Sequence, residues 1–166
     1  MNWLGFAGRK QEKKVELEEG TSYIIHEEKP KKSFEIFKEI SENGAKGLCI
    51  SRTKPKKIKD KYGLNSDSII WLCRTNGDEG CLDPTNLVKL MVLVQDFLKN
   101  NEKGILMIDG IEYLIFQNGS GTVLKFLQSL NERIALSKST LILPINPDAI
   151  EKRDLATIER EMTVLR

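Results

Sequence analysis

Ile105-Leu106-Met107-Ile108 is an apolar run that ends in a carboxylate, Asp109, followed directly by Gly110. A buried strand delivering one acid to its end is the arrangement with which phosphate-loop nucleotidases hold Mg²⁺ beside their phosphates. The same Asp would also serve to cap the turn or helix that follows. Glu112 stands three residues further on, and Arg52 follows a second apolar run at Gly47–Ser51. These three charges read in two ways: as the network of a former ligand site, or as charge-assisted bonds that tie loops together.

The other half of a nucleotidase can be checked by spacing. A phosphate loop needs G-x-x-x-x-G-K-[ST] directly after the first strand, so that backbone N–H groups surround the anion. That position reads His26-Glu27-Glu28-Lys29-Pro30-Lys31-Lys32-Ser33. It holds no glycine, two acids that repel phosphate, and a proline without an N–H. Lys32-Ser33 echoes the end of the motif, but the echo lacks its loop. Other chemistries find no better support. His26 is the only histidine, no Ser lies in a G-x-S-x-G turn, and no Cys, His or carboxylate stands at metal spacing around His26. We therefore expect no enzyme, no cofactor, no metal and no small-molecule substrate.

The elements that must position these residues follow from hydrophobic period. β-rich runs occur at Ser22–His26, Gly47–Ser51, Ser68–Cys73, Ile105–Asp109 and Thr140–Ile145. Their near-continuous apolar character suits strands covered on both faces. Between them, Phe34, Phe37 and Ile40 recur at helical spacing and stop at Asn43-Gly44. A strong helix is predicted from the Asp83-Pro84 cap, with Leu87, Leu90, Met91, Val94, Phe97 and Leu98 on one stripe. A third runs from about Thr122 to Leu136, and a last follows Asp154 through Met162. Alternation of this kind predicts an α/β domain of three layers, with about five mostly parallel strands flanked by helices. Loops at the carboxyl ends of such strands share one edge, where ligands bind.

Length and composition set the bounds. The chain has 166 residues, 40% of them hydrophobic and 30% charged, with a formal net charge of only +2. That suits one folded domain, and no apolar run approaches the roughly 20 residues that span a bilayer. Dense charge of both signs is a habit of hyperthermophile surfaces. Cys49, Cys73 and Cys81 show no CxxC and are expected as reduced thiols in a cytoplasmic protein, the first two buried.

Three stretches together carry a resemblance: Gly47-Leu48-Cys49-Ile50-Ser51-Arg52-Thr53-Lys54-Pro55, Ile70-Trp71-Leu72, and Leu106-Met107-Ile108-Asp109-Gly110-Ile111-Glu112-Tyr113-Leu114 with Asn118. In these the chain resembles the mostly archaeal family of domains of unknown function numbered 835, from about Gly20 to Glu161. The resemblance implies a RecA/KaiC-like core with a degenerate nucleotide site, often a module of signalling or membrane proteins. It makes Arg52, Asp109, Glu112 and Asn118 the edge of that former site. KaiC-type ATPases also carry a water-activating glutamate after the second strand; Ser51-Arg52-Thr53 stands there instead.

Two surface features point to partners. Lys29, Lys31 and Lys32 leave one strand, and Lys54, Lys56 and Lys57 another, at the same edge. If they converge they form a basic rim for acidic or phosphate-rich partners, nucleic acid included; otherwise they are a solvated lysine surface. Residues 1–14 form an amphipathic basic tail, with Trp3, Leu4 and Phe6 before Arg9 and Lys10, ahead of a single domain at 15–166. Such a tail reads as an anchor for a membrane surface or a partner, or as an extension folded onto the domain. The expected function is a non-catalytic scaffold or regulatory module that binds a protein partner or itself. A weak ATPase built on Asp109, and a nucleic-acid binder built on the lysines, are the alternatives.

Overall fold

Seven strands lie side by side in the order β4-β3-β2-β5-β6-β1-β7, every pairing parallel. They are β1 (Ser22–His26), β2 (Lys46–Ser51), β3 (Ile69–Leu72), β4 (Cys81–Leu82), β5 (Gly104–Asp109), β6 (Thr140–Ile145) and β7 (Thr163–Val164). The structure is a computed structural model and describes residues 15–65, 68–75 and 81–166. The tail expected at 1–14, with Trp3, Leu4, Phe6, Arg9 and Lys10, lies outside the described residues.

Six α-helices fill the crossovers among the described residues: α1 (Lys31–Glu42), α2 (Pro55–Tyr62), α3 (Leu87–Asn100), α4 (Ile111–Asn118), α5 (Ser120–Ala135) and α6 (Lys152–Glu161). Side chains alternate across a strand, so each strand feeds two cores. Ile25, Cys49, Ile105, Met107 and Ile142 meet Phe34 and Phe37 of α1 and Ile58 of α2. Ile24, Ile50, Leu106, Ile108 and Leu143 face the other way, toward α3 through α6. Both faces are covered, which is why the strand sequences run apolar throughout. Two strand glycines let helices sit close: a Cβ on Gly47 would lie 2.7 Å from the Phe37 ring, and one on Gly104 would lie 2.7 Å from the Phe97 ring.

The three-layer α/β expectation stands, with seven strands in place of about five. The two additional strands, β4 and β7, contain two residues each, too few for period to show. Helix α3 starts later than expected. Asn86 caps it by accepting from Lys89 N at 3.0 Å, while Asp83 accepts from Thr85 N in the preceding turn. The expectation of reduced thiols is corrected at two positions. Pairing of Trp71 with Cys81 and of Leu72 with Leu82 brings Cys73 beside Cys81, and the two form a disulfide with Cα atoms 5.6 Å apart. Cys49 remains free and buried.

Candidate functional site

Helix α1 follows β1 at the carboxyl edge, the position where a phosphate loop would present N–H groups to an anion. The first four N–H groups of a helix have no partner within it. Here none is left open: the cap position is Pro30, which has no N–H, and the three that follow are occupied. Lys31 N donates to Lys29 O at 2.8 Å, and the helix's own first bond runs from Phe34 N to Pro30 O at 3.2 Å. The two between them go to Glu27: Lys32 N donates to Oε1 at 2.6 Å and Ser33 N to Oε2 at 3.1 Å. Ser33 Oγ adds a third bond to Oε2 at 2.6 Å. A carboxylate at a helix N-terminus is favoured by the same dipole and donors that favour phosphate. Glu27 therefore sits where the anion would. Sequence spacing alone suggested that this acid repels phosphate; in the fold it replaces it.

Asp109 ends β5 in register with Ser51 at the end of β2. Ser51 Oγ donates to Asp109 Oδ2 at 2.7 Å and itself accepts from Thr53 N at 3.0 Å, which fixes the hydroxyl's orientation. Burial pushes the Asp109 carboxyl up to about 6. The Ser51 hydrogen bond opposes that shift, and the charges of Glu112 and Glu27 reinforce it. Burial first, and then the charge of Asp109, also raises the Cys49 thiol well above its usual range. Gly110 follows at φ 116° and turns the chain into α4; a Cβ there would lie 3.3 Å from Arg52 Cβ. Glu112, in the first turn of α4, accepts from Asn146 N at 2.6 Å and ties that helix to the loop after β6.

A cavity of about 200 Å³ remains between these loops, lined by Glu27, Glu28, Pro30, Asp109, Glu112 and Asn146 among others. It is small beside the roughly 300–1,000 Å³ of ordinary ligand sites, and its charged walls are all acidic. No group of His, Cys, Asp and Glu able to hold a metal occurs among the described residues.

The signature Asp109-Gly110-Ile111-Glu112 is thus a strand end, a left-handed turn and a helix start at one edge. The family model described as "Protein of unknown function (DUF835)" matches residues 26–162. The chain belongs to this family. No curated protein sequence matches it. Among solved structures it is similar to protein PH0250 of Pyrococcus horikoshii OT3, with a TM-score of 0.61 and 14% identity over 90% of this chain and 82% of that one. It is equally similar to the flagellar accessory protein FlaH of Methanocaldococcus jannaschii, with a TM-score of 0.61 and 17% identity over 90% and 72% of the two chains. The KaiC-like protein PH0186 of P. horikoshii OT3 gives 0.55 and 16% over 77% and 63%. These likenesses establish a RecA/KaiC-like fold.

The DUF835 edge differs from the expected charge network in two residues. Arg52 makes no ion pair with Asp109 or Glu112 among the described contacts. Its guanidinium lies 4.0 Å from the centre of the Tyr113 ring, and Nη1 donates to Leu72 O at 3.0 Å. Trp71 Nε1 donates to Arg52 O at 3.2 Å, so Arg52 clips β2, β3 and α4 together. Asn118 lies at the far end of α4, where its amide donates to Pro84 O at 3.0 Å and Leu114 O at 2.9 Å. It secures the approach to α3 and does not reach the edge.

The lysines are exposed as expected: Lys29, Lys31 and Lys32 around the start of α1, and Lys54, Lys56 and Lys57 around the start of α2. Both helices lie on the same face of the sheet, and Phe34 of α1 stacks on Tyr62 of α2 with centroids 4.6 Å apart. A larger groove, about 510 Å³, opens near the amino ends of β5 and β6, with Val15, Leu17, Ile40, Lys103 and Lys138 in its wall. Its lysines are already paired, Lys103 with Glu19 and Lys138 with Glu102, each at 3.1 Å. It lies away from the carboxyl ends of the strands, where ligands bind in sheets of this kind.

Proposed function

We propose that the protein is a non-catalytic interaction module on a RecA/KaiC-like core, its phosphate position filled by its own Glu27. The observation that carries this reading is the triple hydrogen bond from Lys32 N, Ser33 N and Ser33 Oγ to that carboxylate. A nucleotide would have to expel Glu27 from these donors and enter a pocket whose charged walls are carboxylates. Asp109 also lacks the loop that would bring phosphates to it. Calorimetric titration with ATP and Mg²⁺ tests the reading directly. No saturable heat is expected up to millimolar nucleotide; micromolar affinity abolished by Asp109→Ala would replace this reading with that of a nucleotide-binding protein.

The interactions we assign to the module are with protein, with recruitment by the tail. Trp3, Leu4 and Phe6 supply apolar contact, and Arg9 and Lys10 supply charge for an anionic surface. Removal of residues 1–14 is expected to leave the thermal midpoint unchanged and to lower co-sedimentation with anionic liposomes. Equal co-sedimentation of the two forms would refute the anchor. No described helix is long and apolar enough to cross a membrane.

A further inference from the structure

Helix α3 carries more apolar residues than its buried face uses. Leu90 and Val94 point into the core, and Leu87, Met91, Phe97 and Leu98 pack beside them. On the opposite side Val88 is 77% exposed and Val92 is 47% exposed. Leu136, which follows α5 and lies near the last turns of α3, is 91% exposed. A groove of about 350 Å³ runs between the two helices, lined by Gln95, Leu98, Lys99, Arg133 and Leu136. An amphipathic surface helix ordinarily turns charge to solvent. This one exposes Val88 and Val92 among the charges of Lys89, Asp96 and Lys99.

The charges bordering these valines say what fits them. Lys89 and Asp96 are both exposed, on the same face of the helix as Val92, and seven residues apart. Seven residues are almost two whole turns, so the pair lies along one line, with Val92 between them in height and roughly 50° to one side. A line with a plus at one end and a minus at the other is its own complement when reversed. We infer that a second copy of this chain docks α3 against α3 in antiparallel fashion about a two-fold axis near Val92. The pairing sets Lys89 of each copy against Asp96 of the other, twice over. It also directs each Val88 toward the partner copy's groove beside Leu136. An isologous contact of this kind closes on itself and stops at two copies.

This inference is independent of the reading of the carboxyl edge: nucleotide binding there would leave it standing. Sedimentation equilibrium of the full chain from micromolar to sub-millimolar concentration should show a monomer–dimer equilibrium. Val92→Glu should weaken it by more than about tenfold, a loss of about 1.4 kcal/mol. Lys89→Asp alone should weaken it as well, and adding Asp96→Lys should restore it, because the swap rebuilds both pairs in reverse. Far-UV circular dichroism and melting temperature keep the comparison to folded variants. A monomer at every concentration would overturn the inference and leave the face to a different protein. A dimer indifferent to Val92→Glu, or a charge swap that fails to restore association, would overturn it equally.

Discussion

The residue that first suggested catalysis is under electrostatic pressure from its own neighbours. Asp109 titrates near 6 because burial disfavours its charge, more than the Ser51 hydroxyl compensates, and Glu112 and Glu27 add to the pressure. A carboxyl raised in the folded state keeps a proton that the unfolded chain has already released. Between about pH 4 and 6 stability therefore falls as pH rises, and above that window the loss is complete. Asn has the same shape, offers an acceptor to Ser51 and does not ionise. Asp109→Asn should match the natural protein at pH 4 and exceed it at pH 7.5 by on the order of 2 kcal/mol. Urea unfolding at the two pH values measures this. A variant less stable at pH 7.5 would mean that the ionised carboxylate has a favourable partner at this edge.

At the scale of the element, the N-terminus of α1 is the decisive piece. Replacing Glu27 by Ala removes three acceptor bonds from one helix end. The expected cost is about 1–2 kcal/mol, the range for losing a helix cap. The urea midpoint should drop with its slope unchanged, and nucleotide binding should not appear, since Pro30 and the lack of glycine remain. A neutral substitution would show that water caps the helix as well as Glu27 does.

The elements also show where sequence reasoning reaches. Strands β1, β2, β3, β5 and β6 were legible because burial on both faces leaves continuous apolar runs. Helix α2 was not: among Pro55–Tyr62 only Ile58 is fully buried, and its lysines read as a basic loop. Helix α4 was hidden behind Asp109-Gly110, and Gly119 at φ 85° separates it from α5. Of the site, the Asp109 edge was visible from the strand that ends there. Two partners were not. A charge count matched Arg52 to carboxylates, whereas the turn at Gly110 places the Tyr113 ring under it. Glu27 was read by its charge alone, although an acid four residues before a helix start is also within reach of that helix's free N–H groups.

For the whole molecule, a RecA/KaiC-like sheet is preserved while its anion position is satisfied from within. The ion pairs between lysines and acids among the described residues, Lys38–Glu42, Lys103–Glu19 and Lys138–Glu102, are exposed, and exposed pairs add little stability. Stability rests on the two cores, and the face we propose for self-association, on α3, lies outside them. The central claim, that Glu27 fills the phosphate position, is tested most directly at the amides that hold it. Amide ¹H–¹⁵N spectra of the natural protein, titrated with ATP and Mg²⁺, should leave the Lys32 and Ser33 resonances unmoved. Saturable shifts of those two amides, tracking nucleotide concentration, would show that phosphate displaces Glu27 and would contradict the account.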